Sequence, residues 1–89
     1  MPCYIVTFEP PNNISAERIR GRLKQLPGYC PIHAYCWAVL TDKNSTMLEN
    51  WISEGGMANE RIFVVRSGTE ATWRNSYGDA NSEWLKKNL

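Results

Sequence analysis

PIHAYCWAVLT, residues 31 to 41, is the stretch that decides the fold. The run after Pro31 is mostly apolar and long for a single strand. It holds no internal Gly, Pro or Asn to mark a turn. We read it as a tight hairpin with its bend near Ala34-Tyr35, leaving Cys36 to Thr41 as the second strand. Asp42-Lys43-Asn44 then turns the chain.

The sequence before this hairpin supplies a strand and a helix. Cys3 to Phe8 is rich in β-branched and aromatic residues and reads as a strand buried on both faces. Pro10-Pro11-Asn12-Asn13 ends it, because proline donates no ladder hydrogen bond. Asn13 or Ser15 is expected to cap the following helix, with Glu17 in its first turn. Ala16, Ile19, Leu23 and Leu26 recur at spacings of three and four and form one apolar stripe. Pro27-Gly28 stops that helix.

The sequence after the hairpin repeats the alternation. Thr46 and Glu49 have capping-box spacing. Met47, Leu48, Trp51 and Ile52 are expected on the inner face of a second helix, which Gly55-Gly56 ends. Ile62 to Val65 is an unbroken apolar run and reads as a central strand. Asn81 or Ser82 is expected to cap a short C-terminal helix carrying Trp84 and Leu85.

Strand, helix, strand, strand, helix, strand predicts an α+β fold with one layer of sheet and one of helix. The simplest topology with that order is the ferredoxin-like βαββαβ sandwich, here followed by a C-terminal arm and short helix. A chain of 89 residues allows one such domain, spanning 1–89. The sheet face away from the helices needs a cover. Four Trp, four Tyr and two Phe are a heavy aromatic load for this length and point to a second copy of the chain, a homodimer.

Composition narrows the function. Hydrophobic residues at 43% and charged residues at 21% fit a folded chain and exclude a disordered one. Ten Lys and Arg against nine Asp and Glu give a net charge of +1, so any nucleic-acid role must come from local clustering. The three cysteines, Cys3, Cys30 and Cys36, are odd in number and not spaced as C-x-x-C. With His33 the sole histidine, they argue against a disulfide framework or a zinc site and for thiols in a reducing cytoplasm. The N-terminal MPCYIVTFEPP lacks the pattern of a signal peptide, and no run approaches the ~18–20 apolar residues of a spanning helix. No membrane role is expected.

Local clustering is found on the first helix. Arg18, Arg20, Arg22 and Lys24 stand against one acid, Glu17. At about 100° per residue, Arg18 and Arg22 fall on one flank of the apolar stripe and Arg20 and Lys24 on the other, with Gly21 between them. A phosphate backbone can lie across such a surface. The same pattern also describes a solvated face, and no aromatic residue is interleaved with the bases in sequence. His33 offers a general base, or a turn histidine with a satisfied hydrogen bond.

From Ser67 to Tyr77 the chain turns polar, with Thr69, Glu70, Thr72, Trp73 and Arg74. This reads as an exit from the last strand, pinned by Trp73, although Arg66 and Arg74 also suit a phosphate. An RNA-recognition motif shares the βαββαβ order, and Tyr4 and Phe8 lie on the first strand. Its third-strand signature is absent.

Several of these segments together resemble a known family. "YIVTFEP", an apolar strand closed by an aromatic and an acid, resembles the first-strand signature of the CRISPR-associated Cas-two superfamily, which closes on Tyr-Asp. "HAYCWAVLTDKNSTMLENW", "ERIFVVRSGTEATW" and "SEWLKKNL" are similar to a sister group of small bacterial proteins labelled SinR-like. The resemblance covers nearly the whole chain. It implies a ferredoxin-like homodimer that handles nucleic acid, as a scaffold or as a weak metal-dependent endonuclease. The acid that closes the first strand corresponds to Glu9. In the superfamily it sits near the dimer axis, where two copies approach one divalent metal. That makes Glu9 the candidate catalytic and metal-binding residue, with Mg2+ as the ion. The departures are that Glu9 reaches one methylene further than Asp and that Pro10-Pro11 follow it. No second acid lies nearby in sequence, which argues against a two-metal site. The alternative is a non-enzymatic dimeric module that regulates or bridges other proteins.

Overall fold

The computed structural model describes residues 1–68 and 70–89. Its elements run β1 (Cys3–Glu9), α1 (Asn13–Leu23), β2 (Gly28–His33), β3 (Cys36–Leu40), α2 (Ser45–Ser53), β4 (Arg61–Arg66) and α3 (Asp79–Asn88). The four strands form one sheet in the order β2-β3-β1-β4, and every neighbouring pair is antiparallel. The fold is a mixed α+β one. The hairpin turns at Ala34-Tyr35, but β2 begins earlier than the apolar run suggests, at Gly28.

β1 alternates between two cores. Tyr4, Val6 and Phe8 pack with Trp37 and Val39 of β3 against Ile19 and Leu23 of α1 and Leu48 and Ile52 of α2. Cys3 lies on the opposite face with Cys30, Ala38 and Leu85 of α3, flanked by Ile5, Trp73 and Trp84. The chain's own C-terminal helix therefore covers much of the face for which a second copy seemed necessary. Tyr4 and Phe8 are buried beneath α1 and α2. They offer no surface on which a base can stack, which removes the basis for the RNA-recognition-motif alternative.

The first two helices start earlier than their sequences suggest. Asn12 caps α1, its Oδ1 accepting the Ser15 N–H at 2.9 Å. Neither Asn13 nor Ser15 has that role, and Glu17 falls beyond the first turn. Asn44 caps α2 by accepting the Met47 N–H at 2.8 Å, whereas Glu49 accepts from Ser53 instead of closing a box with Thr46. Met47 is 55% exposed and is not on the inner face; Leu48 and Ile52 are. α3 begins at Asp79 after Gly78, so Asn81 and Ser82 lie inside it.

The largest departure is β4. It is an edge strand, with only its β1 side paired among the described residues. An unbroken apolar run suggests a central strand, but Ile62 and Val64 alone pack onto the α1–α2 core. Phe63 and Val65 point to the other face and are 64% and 45% exposed.

Candidate nucleic-acid interface

α1 presents its basic residues to two different neighbours because successive side chains turn by about 100°. Arg18 and Arg22 reach the C-terminal end of α2, and Arg20 reaches the β2–β3 bend. These contacts follow the flanks that the spacing predicts.

Arg18 is committed internally. Nη1 donates to the carbonyls of Ile52 and Glu54 at 2.6 and 3.0 Å, and Nη2 pairs with the carboxylate of Glu60. Glu60 also accepts from the Ser15 hydroxyl, and its side chain is only 3% exposed. Burial pushes the Glu60 carboxyl up. The hydrogen bonds from Ser15, the Met57 backbone and Arg18, together with the Arg18 charge, outweigh that and hold it below its ordinary value. With these partners Arg18 ties α1 to the segment before β4, and its guanidinium is not offered to a phosphate.

Arg20, Arg22 and Lys43 lie against aromatic rings, with the Arg20 and Arg22 side chains half-buried. Arg20 lies 5.3 Å from the centroid of Tyr35, donates from Nε and Nη2 to the Ala34 carbonyl, and pairs with Glu17 at 3.0 Å. Tyr35 is in turn braced edge-on by Phe8, with centroids 5.8 Å apart. Arg22 stacks over Trp51 at 5.1 Å, and Lys43 approaches the same ring at 5.2 Å. Lys24 is exposed and has no ion-pair partner among the described residues. Sequence reading found no aromatic among these bases because Tyr35 and Trp51 come from the hairpin bend and from α2. Their juxtaposition with α1 exists only in three dimensions.

Glu9 and His33, candidates from separate parts of the sequence, share one cleft. It has a volume of about 430 Å³ and is lined also by Thr7, Tyr35, Arg61 and Phe63. The β1–β4 register sets Arg61 opposite Glu9 and Arg66 opposite Tyr4. The ion partner of Glu9 is accordingly Arg61 at 3.4 Å, and both side chains are mostly exposed. His33 Nδ1 accepts the Tyr35 N–H at 3.4 Å, the satisfied turn histidine of the two readings. Among the described residues no group of three or more His, Cys, Asp or Glu side chains is placed to hold a metal. Within one chain, a lone carboxylate facing a guanidinium does not fit Mg2+, which takes near-octahedral oxygen ligands.

The exit from β4 is held as a structural arm. Trp73 packs on the α3 core and donates from Nε1 to Ser82 Oγ at 3.2 Å, and Ser76 Oγ meets Ser82 Oγ at 2.6 Å. Arg66 and Arg74 are exposed, while Thr69, part of the same polar stretch, lies outside the described residues. All three cysteines are free and buried, and burial pushes each thiol up, which makes them poor nucleophiles. No helix among the described residues is long and apolar enough to cross a membrane.

No family model, no curated protein and no solved structure matches this chain.

Proposed function

We propose that the chain is a nucleic-acid-handling scaffold: a cytoplasmic, ferredoxin-like homodimer of the kind its resemblance to the CRISPR-associated Cas-two superfamily implies. The β2-β3-β1-β4 order with two helices on one face supports the ferredoxin-like assignment. The single observation that carries the function is the set of cations standing on aromatic rings around α1, with Arg20 on Tyr35 and Arg22 and Lys43 on Trp51. Stacking fixes the guanidinium planes at little entropic cost and leaves N–H groups for phosphate oxygens. Lys24 adds a fourth positive charge beside them. Two acids, Glu17 and Glu54, partly offset the ledge, which fits modest affinity without sequence preference.

The scaffold reading needs no chemistry at Glu9. The test is a gel-shift titration with labelled single- and double-stranded RNA and DNA, run with magnesium and with chelator. Wild type is expected to retain at least one of these without cutting it, and Arg22→Ala/Lys24→Ala to lose retention. Chelator-sensitive cleavage that disappears in Glu9→Ala would replace the scaffold with a nuclease.

A second reading has its own observation. Phe63 and Val65 lie exposed on the sheet face away from α1 and α2, a feature of a protein-interaction surface. An intact dimer that retains no nucleic acid would make the chain a regulatory or assembly module instead.

A further inference from the structure

This inference rests on the homodimer of that reading, whose axis the resemblance sets near Glu9; the two sheet edges of this chain place it elsewhere. β2 is a blunted edge: Pro31 cannot donate a ladder hydrogen bond, and the register slips between Pro31 and His33. β4 has none of these protections. Arg61–Arg66 holds no Pro, no Gly and no irregularity in its pairing with β1. A regular edge of this kind, with four apolar residues between two arginines, can template further strand pairing.

The hydrogen-bond parity of β4 is fixed by one contact. Ser67 donates its N–H to the Cys3 carbonyl at 2.9 Å. Antiparallel strands alternate between bonded and non-bonded pairs. Residues 61, 63 and 65 therefore turn their amides toward β1, and Ile62, Val64 and Arg66 turn theirs outward. The side chains alternate with the same period, so Phe63 and Val65 share the exposed face.

We infer that β4 pairs with β4 of a second copy of this chain, antiparallel and centred on Val64, to make one continuous eight-stranded sheet. In that register Val64 bonds Val64 of the other copy, and Ile62 and Arg66 bond each other in both directions. All six outward amide groups of each strand are satisfied. Centring on Phe63 or on Val65 leaves one outward residue of each β4 without a strand partner. The chosen register also sets Phe63 beside Val65 in a non-bonded pair, where side chains approach most closely, twice across the axis. It keeps Arg61 and Arg66 from facing each other. The self-complementarity of RIFVVR is what commits the edge to a second copy rather than to a foreign strand.

Native mass spectrometry and light scattering of the full chain test this, with far-UV circular dichroism as the control for folding. Wild type is expected to be a dimer, and Phe63→Glu and Val65→Lys each a folded monomer. A monomeric wild type overturns both this interface and the homodimer beneath it. A dimer that survives both substitutions overturns the β4 edge alone. The register has its own test, which does not depend on those variants folding. Non-bonded partners lie about 4.5 Å apart at Cα, within disulfide range, whereas diagonal neighbours lie about 7–8 Å apart. Phe63→Cys/Val65→Cys is expected to cross-link on mild oxidation, and either single cysteine variant is not. A cross-link in Phe63→Cys alone, or none in the double variant, overturns the register centred on Val64.

Discussion

At Glu60 a single side chain ties separate parts of the chain together. Its carboxylate joins Ser15 and Arg18 of α1 to the segment that leads into β4, almost out of reach of water. Replacing it by Gln leaves the Arg18 charge half-buried without its counter-ion, and the cost is expected to be about 3 kcal/mol. The carboxyl is held below its ordinary value, so its contribution is present above the unfolded value of about 4.3 and is lost as pH falls through the folded value. Urea midpoints of wild type are expected to hold from pH 7 to about 5 and to drop below that, with a shallower drop in Glu60→Gln. Parallel profiles for the two proteins would refute this role. Gly56 is set by the same network, because a Cβ there would run into the Glu60 carboxylate and the Arg18 guanidinium. Gly56→Ala is expected to lower thermal stability, whereas Gly21→Ala, with open space around it, is expected to raise it by roughly 0.5–1 kcal/mol. Calorimetry of the two alanine variants distinguishes them by sign.

The helices show which features are legible in a sequence. Their apolar stripes were, because Ile19, Leu23, Leu48 and Ile52 repeat with the helical period. Their caps were not, because 12-Asn-Asn-13 and 44-Asn-Ser-Thr-46 offer adjacent residues of equal capping propensity. Only the backbone selects Asn12 and Asn44. Asn12→Ala and Asn44→Ala are each expected to cost about 1 kcal/mol in chemical denaturation, and Asn13→Ala and Thr46→Ala much less. The strands show a different limit. β4 has the composition of a central strand and the position of an edge one, since an apolar run records burial by any partner, including one outside the chain. The hairpin bend was legible without a turn residue, from length alone. The contact of Arg22 and Lys43 with one Trp51 ring was not, since no local pattern links α1, the β3–α2 turn and α2. Nor did anything local link Glu9 with Arg61 and His33 in one cleft.

At the scale of the whole molecule, α3 makes the sheet two-sided. Leu85, 1% exposed, packs on Cys3, Cys30 and Ala38, on the face for which the sequence suggests a second chain. Leu85→Ala is expected to cost about 3 kcal/mol and to expose the sheet face, read as a lower urea midpoint and new dye binding. The cover by α3 moves the expected dimer contact from the sheet face to the β4 edge. That shift bears on Glu9. With two β4 strands paired about Val64, the Glu9 carboxylates of the two copies fall roughly 25 Å apart, from strand spacing and rise, too far to share one ion. A dimer paired at β4 therefore cannot hold one ion between its two Glu9 carboxylates.

The most direct measurement is the salt dependence of binding to a labelled oligonucleotide, followed by fluorescence anisotropy, for wild type and for Arg22→Ala/Lys24→Ala. If the ledge on α1 holds phosphates, log affinity will fall linearly with log salt, and the double variant will flatten the slope by about 0.7–0.9 for each contact removed. An unchanged slope in a folded variant would contradict the account, and so would wild-type binding that does not respond to salt.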